Sequence, residues 1–424
     1  MTLANDTTSP AETLRADVRA WLEQHWDADL SVDDWWRVVA QAGWTAPHFT
    51  IEQGGRGAHR TAGNVVRAVF AEFGALLPPG GLGLLMAAPT ILAHGTDDQI
   101  ARLVPPILEG HVNWCQLFSE PGAGSDLAGL TTRAERDGDR FVVNGQKVWS
   151  SMARDSDYGM LLARTDFSVP KHHGISWFAF PLDQPGVTIR PLREMTGDAV
   201  FNEVFFDNAV CDADDLIGGE GNGWAVTQTT LYFERTGIGA GGSHAGFPVP
   251  GPKGGMLGRR AGDAARDPVP GGSLIVTLPE LIALARARGR TTDPHIRQKI
   301  ARLYAVSKLG QWNAQRAKAE GARGGGQAIA NLGKIAQTRI VKQSAQLGAD
   351  ILGADATLAA PDGVDDGRFT GALVFSPASS IYGGTDEIQR NIIAERTLGL
   401  PREQLPGKGE PYADVLRTVK SREP

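Results

Sequence analysis

Three short segments of this chain group glycine, hydroxyl and aromatic residues at spacings that could do chemistry on a flat or phosphorylated ligand. In residues 114–126, WCQLFSEPGAGSD, small residues with Pro121 form a tight loop whose backbone N–H groups can approach a ligand closely. Ser119 and Ser125 add hydroxyls suited to a polar ring edge or a phosphate. In residues 144–151, NGQKVWSS, Trp149 offers an aromatic plane followed at once by hydroxyls, as a flat, hydrogen-bonding ring would need. In residues 381–390, IYGGTDEIQR, glycines precede a helix start, where N–H groups and the dipole favour a phosphate or a developing oxyanion. Each segment alone has a plainer reading: a surface loop, a core tryptophan, a capped helix.

The elements that must position these segments fall into three textures. Residues 11–26 put Leu14, Val18, Trp21 and Leu22 on one helical face, residues 33–42 and 62–77 continue in that style, and Thr96-Asp97-Asp98 reads as a helix start. From about residue 111 to 211, short β-rich runs alternate with turns: RFVVNGQKVW, YGMLLART, GISWFAFPL, GVTIRPL and FNEVFFDNAV. Asn144-Gly145 is a hairpin signal among them. Helical texture returns at Gly223 and persists to about Leu398. The expected fold class is α+β and segregated: an N-terminal helical domain (1–112), a central β-barrel or sandwich (113–222) and a C-terminal helical bundle (223–424). Residues 237–272, dense in Gly, Pro and Arg, read as a long loop. It is either a disordered insertion or a segment that covers an active-site mouth or touches a partner subunit.

The bulk numbers exclude several function classes. A chain of 424 residues needs two or three packed units. The net charge of −6 supplies no basic field for nucleic acid, and the apolar run LLMAAPTILA is short and broken by Pro89, so no membrane insertion is expected. Residues 1–10 lack the pattern of a signal peptide, which makes the cytoplasm the expected compartment. Cys115 and Cys211 lie far apart among apolar neighbours and read as core thiols, not a disulfide or metal pair.

Taken together and in this order, FSEPGAGSD, NGQKVWSS and IYGGTDEIQRNIIAERTLGLP resemble the acyl-CoA dehydrogenase family, and the resemblance covers nearly the whole chain. It implies FAD as cofactor, an acyl-CoA substrate, and electron-transferring flavoprotein or a similar acceptor as partner. By that resemblance, Gln116, Phe118, Ser119 and Ser125 match loop positions that hold the flavin, and Ser125 also borders the acyl-CoA. Trp149 matches the aromatic packed against the isoalloxazine, and Ser151 a hydroxyl near flavin N5. Thr385 and Glu387 match positions near the ribityl and pyrophosphate groups. Arg235, Gly383 and Gly384 fall at positions that face the substrate, and no metal is implied.

The α,β-dehydrogenation implied by the family needs a carboxylate to take the α-proton while hydride leaves the β-carbon, and donors for the thioester oxygen. Many relatives supply the base from a Tyr-Glu-Gly-Thr motif. Gly383 stands at that glutamate position here, leaving a backbone N–H but no carboxylate. A subset of the family places the base in a Glu-Arg pair on the helix after the β domain, which Glu234-Arg235 matches. Glu234 lies about 60° around the helix from Leu231, at the margin of its apolar stripe, where desolvation would raise a carboxylate toward the range of a general base.

Two further signatures are eroded. Where relatives carry Arg-x-x-Phe-Gly, residues 285–294 read ARARGRTTDP, and Gln-x-x-Gly-Gly becomes Asp350-Ile351-Leu352-Gly353-Ala354. In the family these elements complete a neighbouring subunit's FAD site. The departure implies either a homo-oligomer (dimer or tetramer) with different contacts or a heterotetramer with a sister subunit. An acyl-CoA oxidase and a non-catalytic subunit are the alternative functions.

Overall fold

The computed structural model describes residues 9–237, 249–267, 274–321, 323, 331–403 and 407–420. Five helices open the chain: α1 Pro10–His25, α2 Val32–Gln41, α3 Ala62–Phe73, α4 Ala88–His94 and α5 Asp97–Leu108. Ser9 caps α1 in a box with Glu12, and Thr96 caps α5 in a box with Gln99, so the chain starts these helices with its own side chains. The third helix ends four residues before the apolar pattern does, because Gly74 takes a left-handed backbone (φ 81°) and caps it. Trp35, Trp36, Val66 and Phe70 fill the core between α1, α2 and α3.

Eight strands follow: β1 Trp114–Leu117, β2 Arg133–Asp137, β3 Arg140–Ser151, β4 Tyr158–Arg164, β5 Ile175–Pro181, β6 Val187–Leu192, β7 Phe201–Asp212 and β8 Leu216–Ile217. They form one sheet in the order β6-β7-β3-β2-β4-β5-β8, with β1 parallel to β4. The sheet folds over its own core, since Phe180 of β5 packs on Phe206 of β7 with ring centroids 5.2 Å apart, although those strands are not neighbours in the ladder. Alternation along β4 decides what meets what. Leu161 and Ala163 enter that core, whereas Met160 and Leu162 face the cluster shared with α4 and α5.

Asn144-Gly145 does not turn the chain. It lies inside β3, where the pairing with β7 shifts register. A side chain on Gly145 would stand 2.6 Å from Thr132 Oγ1, and Asn144 Oδ1 accepts from the backbone of Asn208. The hairpin between β2 and β3 turns instead at Gly138 (φ 64°).

The C-terminal part comprises α6 Gly223–Gly237, the short α7 Ala261–Ala264, α8 Leu278–Ala287, α9 Pro294–Gly321, α10 Leu332–Leu352, α11 Arg368–Phe375, α12 Asp386–Ile392 and α13 Tyr412–Lys420. The last of these returns to the β domain. Tyr412 donates its hydroxyl to Gly129 O at 2.5 Å and lies over the Arg164 guanidinium, which itself donates to Ala128 O and Leu130 O. Cys115 and Cys211 are buried and free, and burial pushes the Cys115 thiol up to about 12. Among the described residues, no helix is long and apolar enough to cross a membrane.

Candidate active site

The loop after β1 is built on a buried ion pair. Glu120 accepts from the backbone of Thr131 (2.7 Å) and Thr132 (2.8 Å) and from Lys147 Nζ at 2.9 Å, and Lys147 is fully buried. Lys147 also donates to Phe118 O, and Val148 N donates to Ser119 O. Burial works against the charged Glu120, but Lys147 and the threonine hydrogen bonds outweigh it and hold the carboxyl down at about 2. Two of the three chemical segments are thereby fastened to each other. Both ions were overlooked in the sequence, although the first segment carries two acidic residues, Glu120 and Asp126, and the second a single lysine.

The same anchor aims Trp149. Between Lys147 and Ser150 one extra residue enters β3 opposite β7, and at this bulge Trp149 adopts φ 62°. A bulky residue in the left-handed region costs of order 1–3 kcal/mol, and such strain gathers at ligand sites. Here it leaves the indole 58% exposed, edge-on to Phe201, instead of in the core. Met152 repeats the left-handed backbone (φ 56°) three residues on. Ser151 and Met152 line a cavity of about 230 Å³ with Leu82, Trp114, Phe201 and Phe375.

Further along β1, Gln116 Nε2 donates to Glu234 Oε2 at 3.2 Å. The helix carrying Glu234 is seated by Val226, Thr227 and Thr230, all fully buried, and Thr230 is bonded to Thr90 of α4 at 3.1 Å. Glu234 is half-buried, and Leu231 of the same helix packs against the core. The side chain of Arg235 lies outside the described residues.

Phe118 turns its ring into the core, so only its backbone faces the loop. Ser125 is exposed, beside Asp126, which is paired with Lys171. Gly122 and Gly124 have ordinary backbone and nothing within 4 Å of where a Cβ would stand, so the chain's own packing does not demand glycine there. A ligand approaching closely would.

Gly383 and Gly384 (φ 65° and 87°) form a separate turn before α12. It is held within the C-terminal helices: Gln389 Nε2 donates to Gly383 O, Thr385 caps Ile388 N, and Lys334 donates to Ser379 O. Glu387 points outward and pairs with Arg390. The Ser380 hydroxyl and one Asp386 carboxyl oxygen at this turn, like Ser150 Oγ beside Trp149, are buried without a hydrogen-bond partner among the described residues. Such orphaned groups fit a polar ligand that the protein alone does not provide. The open glycines, the presented indole and these atoms together fit a flat ring with a phosphorylated tail.

The comparisons with known proteins agree on one family. Residues 8–111, 115–209 and 271–398 match the models for the N-terminal, middle and C-terminal domains of acyl-CoA dehydrogenase. Acyl-CoA dehydrogenase IpdE1 of Mycobacterium tuberculosis is 37% identical over 415 residues, covering 92% of this chain and 98% of that protein. Its namesake from Mycolicibacterium smegmatis is 34% identical over 425 residues, covering 92% of this chain and 98% of that protein. Among solved structures, the Tcur3481-Tcur3483 steroid ACAD superposes with a TM-score of 0.72 at 27% identity, covering 94% of this chain and 100% of the other. The ChsE4-ChsE5 complex from Mycobacterium tuberculosis gives 0.69 at 27% identity, with the same coverage.

Proposed function

The chain belongs to the acyl-CoA dehydrogenase family, and we propose that it removes the α and β hydrogens of a bulky, steroid-derived acyl-CoA thioester with FAD as cofactor and Glu234 as base. The observation that carries this reading is the Gln116–Glu234 hydrogen bond. It holds the one carboxylate of the Glu-Arg position beside the loop that the family uses for flavin and substrate, whereas Gly383 offers none. When bound, FAD supplies the acceptor for the hydride leaving the β-carbon. Trp149 gives that ring a plane to lie on, and the Ser151 hydroxyl a hydrogen bond at its edge. Gln116, Ser119, Ser125 and the backbone of Phe118 hold the ligand from the loop, with Thr385 and Glu387 toward its phosphorylated tail.

Glu234 takes the α-proton, and Gln116 keeps its oxygen oriented for that transfer. The Gly383 N–H remains as a donor for the thioester oxygen as negative charge develops there. Arg235 and Gly384 border the substrate. Reoxidation falls to electron-transferring flavoprotein or a similar acceptor.

The steroid character of the substrate rests on likeness to the steroid ACAD structure named above. A mixed assembly with a sister subunit is supported by two features of this chain. Each eroded segment spends a charged residue on an ion pair within the chain, Arg288 with Asp355 at 2.7 Å and Asp350 with Lys299 at 2.6 Å. Tyr304, Leu309 and Trp312 of α9 also stay more than half exposed, as an uncovered interface would. The test is a screen of straight, branched and steroid side-chain acyl-CoAs against the purified holoprotein, alone and with candidate sister subunits. Anaerobic loss of the oxidised flavin band and an enoyl-CoA product two mass units lighter are expected with the steroid thioesters. Peroxide release in step with turnover would point to the oxidase, and no bleaching by any thioester in any assembly to a non-catalytic subunit.

A further inference from the structure

The Gly/Pro-rich stretch after the Glu234 helix is not an unanchored insertion over its described part, residues 249–267. At one end Gly251 N donates to Gly110 O at 2.9 Å, and Lys253 Nζ donates to Ser156 O at 2.9 Å. Gly251 (φ 82°) leaves no room for a side chain, since a Cβ would stand 2.5 Å from Asp157 Oδ2 and 2.9 Å from Asn113 N. At the other end the backbone pairs with the start of α2. Val32 N donates to Arg259 O (2.8 Å), Asp33 N to Leu257 O (3.0 Å), Ala261 N to Leu30 O (2.8 Å) and Gly262 N to Ala28 O (2.9 Å). Ala261 and Ala264 are buried in the core with Trp35 and Trp36, and Arg260 pairs with Asp29. The strap is therefore fixed to the β domain and to the N-terminal helices.

What it fixes is a wall. Val249 and Pro250 line the cavity of about 230 Å³, together with Leu82, Trp114, Leu274 and Phe375. Pro250 is buried beside Gly81, where a Cβ would stand 3.7 Å from its ring. Trp114 and Gln116 are alternate residues of β1 and share a face, about 7 Å apart along the strand. The cavity thus begins one strand repeat from the carboxylate that Gln116 holds.

We propose that Val249 and Pro250 are specificity-determining residues: the strap supplies a rigid apolar end wall that selects the acyl group by its bulk. This rests on the function proposed above and deepens it. Each methylene of fit in an apolar pocket is worth roughly 10–200-fold in discrimination, so a wall seated directly beside the Gly251 anchor can sort acyl groups by fit.

The experiment compares holoenzyme carrying Val249→Ala, Pro250→Ala or Val249→Phe with the unaltered chain, using octanoyl-CoA and a steroid side-chain acyl-CoA. Enlarging the space with either alanine should change the ratio of the two kcat/KM values by about tenfold or more in favour of the bulkier thioester. Val249→Phe should move it the opposite way, with FAD content unchanged in all three. Unchanged ratios, or loss of FAD instead of altered ratios, would overturn the assignment, the latter because the cavity would then house the cofactor. If the unaltered holoenzyme is bleached by no acyl-CoA, the function proposed above fails instead. Calorimetric Kd values for the same two thioesters then read the wall separately, and an unchanged Kd ratio would reject it.

Discussion

The β domain and the C-terminal helices handle their polar and apolar groups in opposite ways. In the β domain the ion pair beneath the loop, Lys147 with Glu120, is buried, and the aromatic left outside, Trp149, is held there by a strained backbone. In the C-terminal helices the ion pairs stay partly exposed, some local as with Arg390–Glu387 and some between helices as with Arg288–Asp355, while large apolar side chains such as Trp312 (60% exposed) and Leu398 lie open. Buried pairing with strain marks a site finished within one chain. Exposed apolar surface marks a surface that another chain finishes. On the function proposed above, the half of the site on the sheet is finished within one chain and the half around Gly383 is completed by assembly.

Breaking the sheet's anchor should have the largest effect. Lys147→Met leaves Glu120 buried without its cation and should destabilise the chain by about 3–5 kcal/mol, read by urea denaturation, with loss of bound flavin. A change below about 1 kcal/mol would mean that the two halves are not anchored differently. The same pair predicts an acid limit. The folded-state value of Glu120, about 2, lies below its ordinary 4.5, so its contribution is complete above about pH 4.5 and is lost as the pH falls through about 2. Glu120→Gln should flatten this part of the stability profile between pH 4.5 and 2, and an unaltered slope would remove Glu120 as its source. On the other half, Trp312→Asp should lower the assembled mass seen by light scattering while shifting the stability of the single chain by less than about 0.5 kcal/mol. An unchanged assembly would place the interface elsewhere.

Much of this contrast is legible in the sequence, and the losses have physical causes. Helix starts carried by side-chain caps, such as Thr96 with Gln99, are local and readable. The Asn144-Gly145 pair misleads because its glycine serves a close approach to Thr132 across the sheet, not a turn. Lys147 escapes notice because a lysine is ordinarily solvated, and its burial depends on a glutamate 27 residues away. The strap hides for the reverse reason. Its composition suggests looseness, yet small residues such as Gly251, Ala261 and Gly262 are what let its backbone seat tightly against two domains. Glu234 was reachable only because Gly383 vacates the usual position and a Glu-Arg pair stands ready on α6. Its contact with Gln116 is a tertiary fact that no local pattern contains.

The proposed chemistry stands or falls with proton abstraction by Glu234. Rapid mixing of acyl-CoA with holoprotein under anaerobic conditions, comparing Glu234→Gln with the unaltered chain, tests it most directly. The variant should keep its FAD, its fold and its thioester affinity, while substrate-driven bleaching of the flavin slows by at least about 10³-fold. Bleaching at the unaltered rate would contradict it and move the base to another residue.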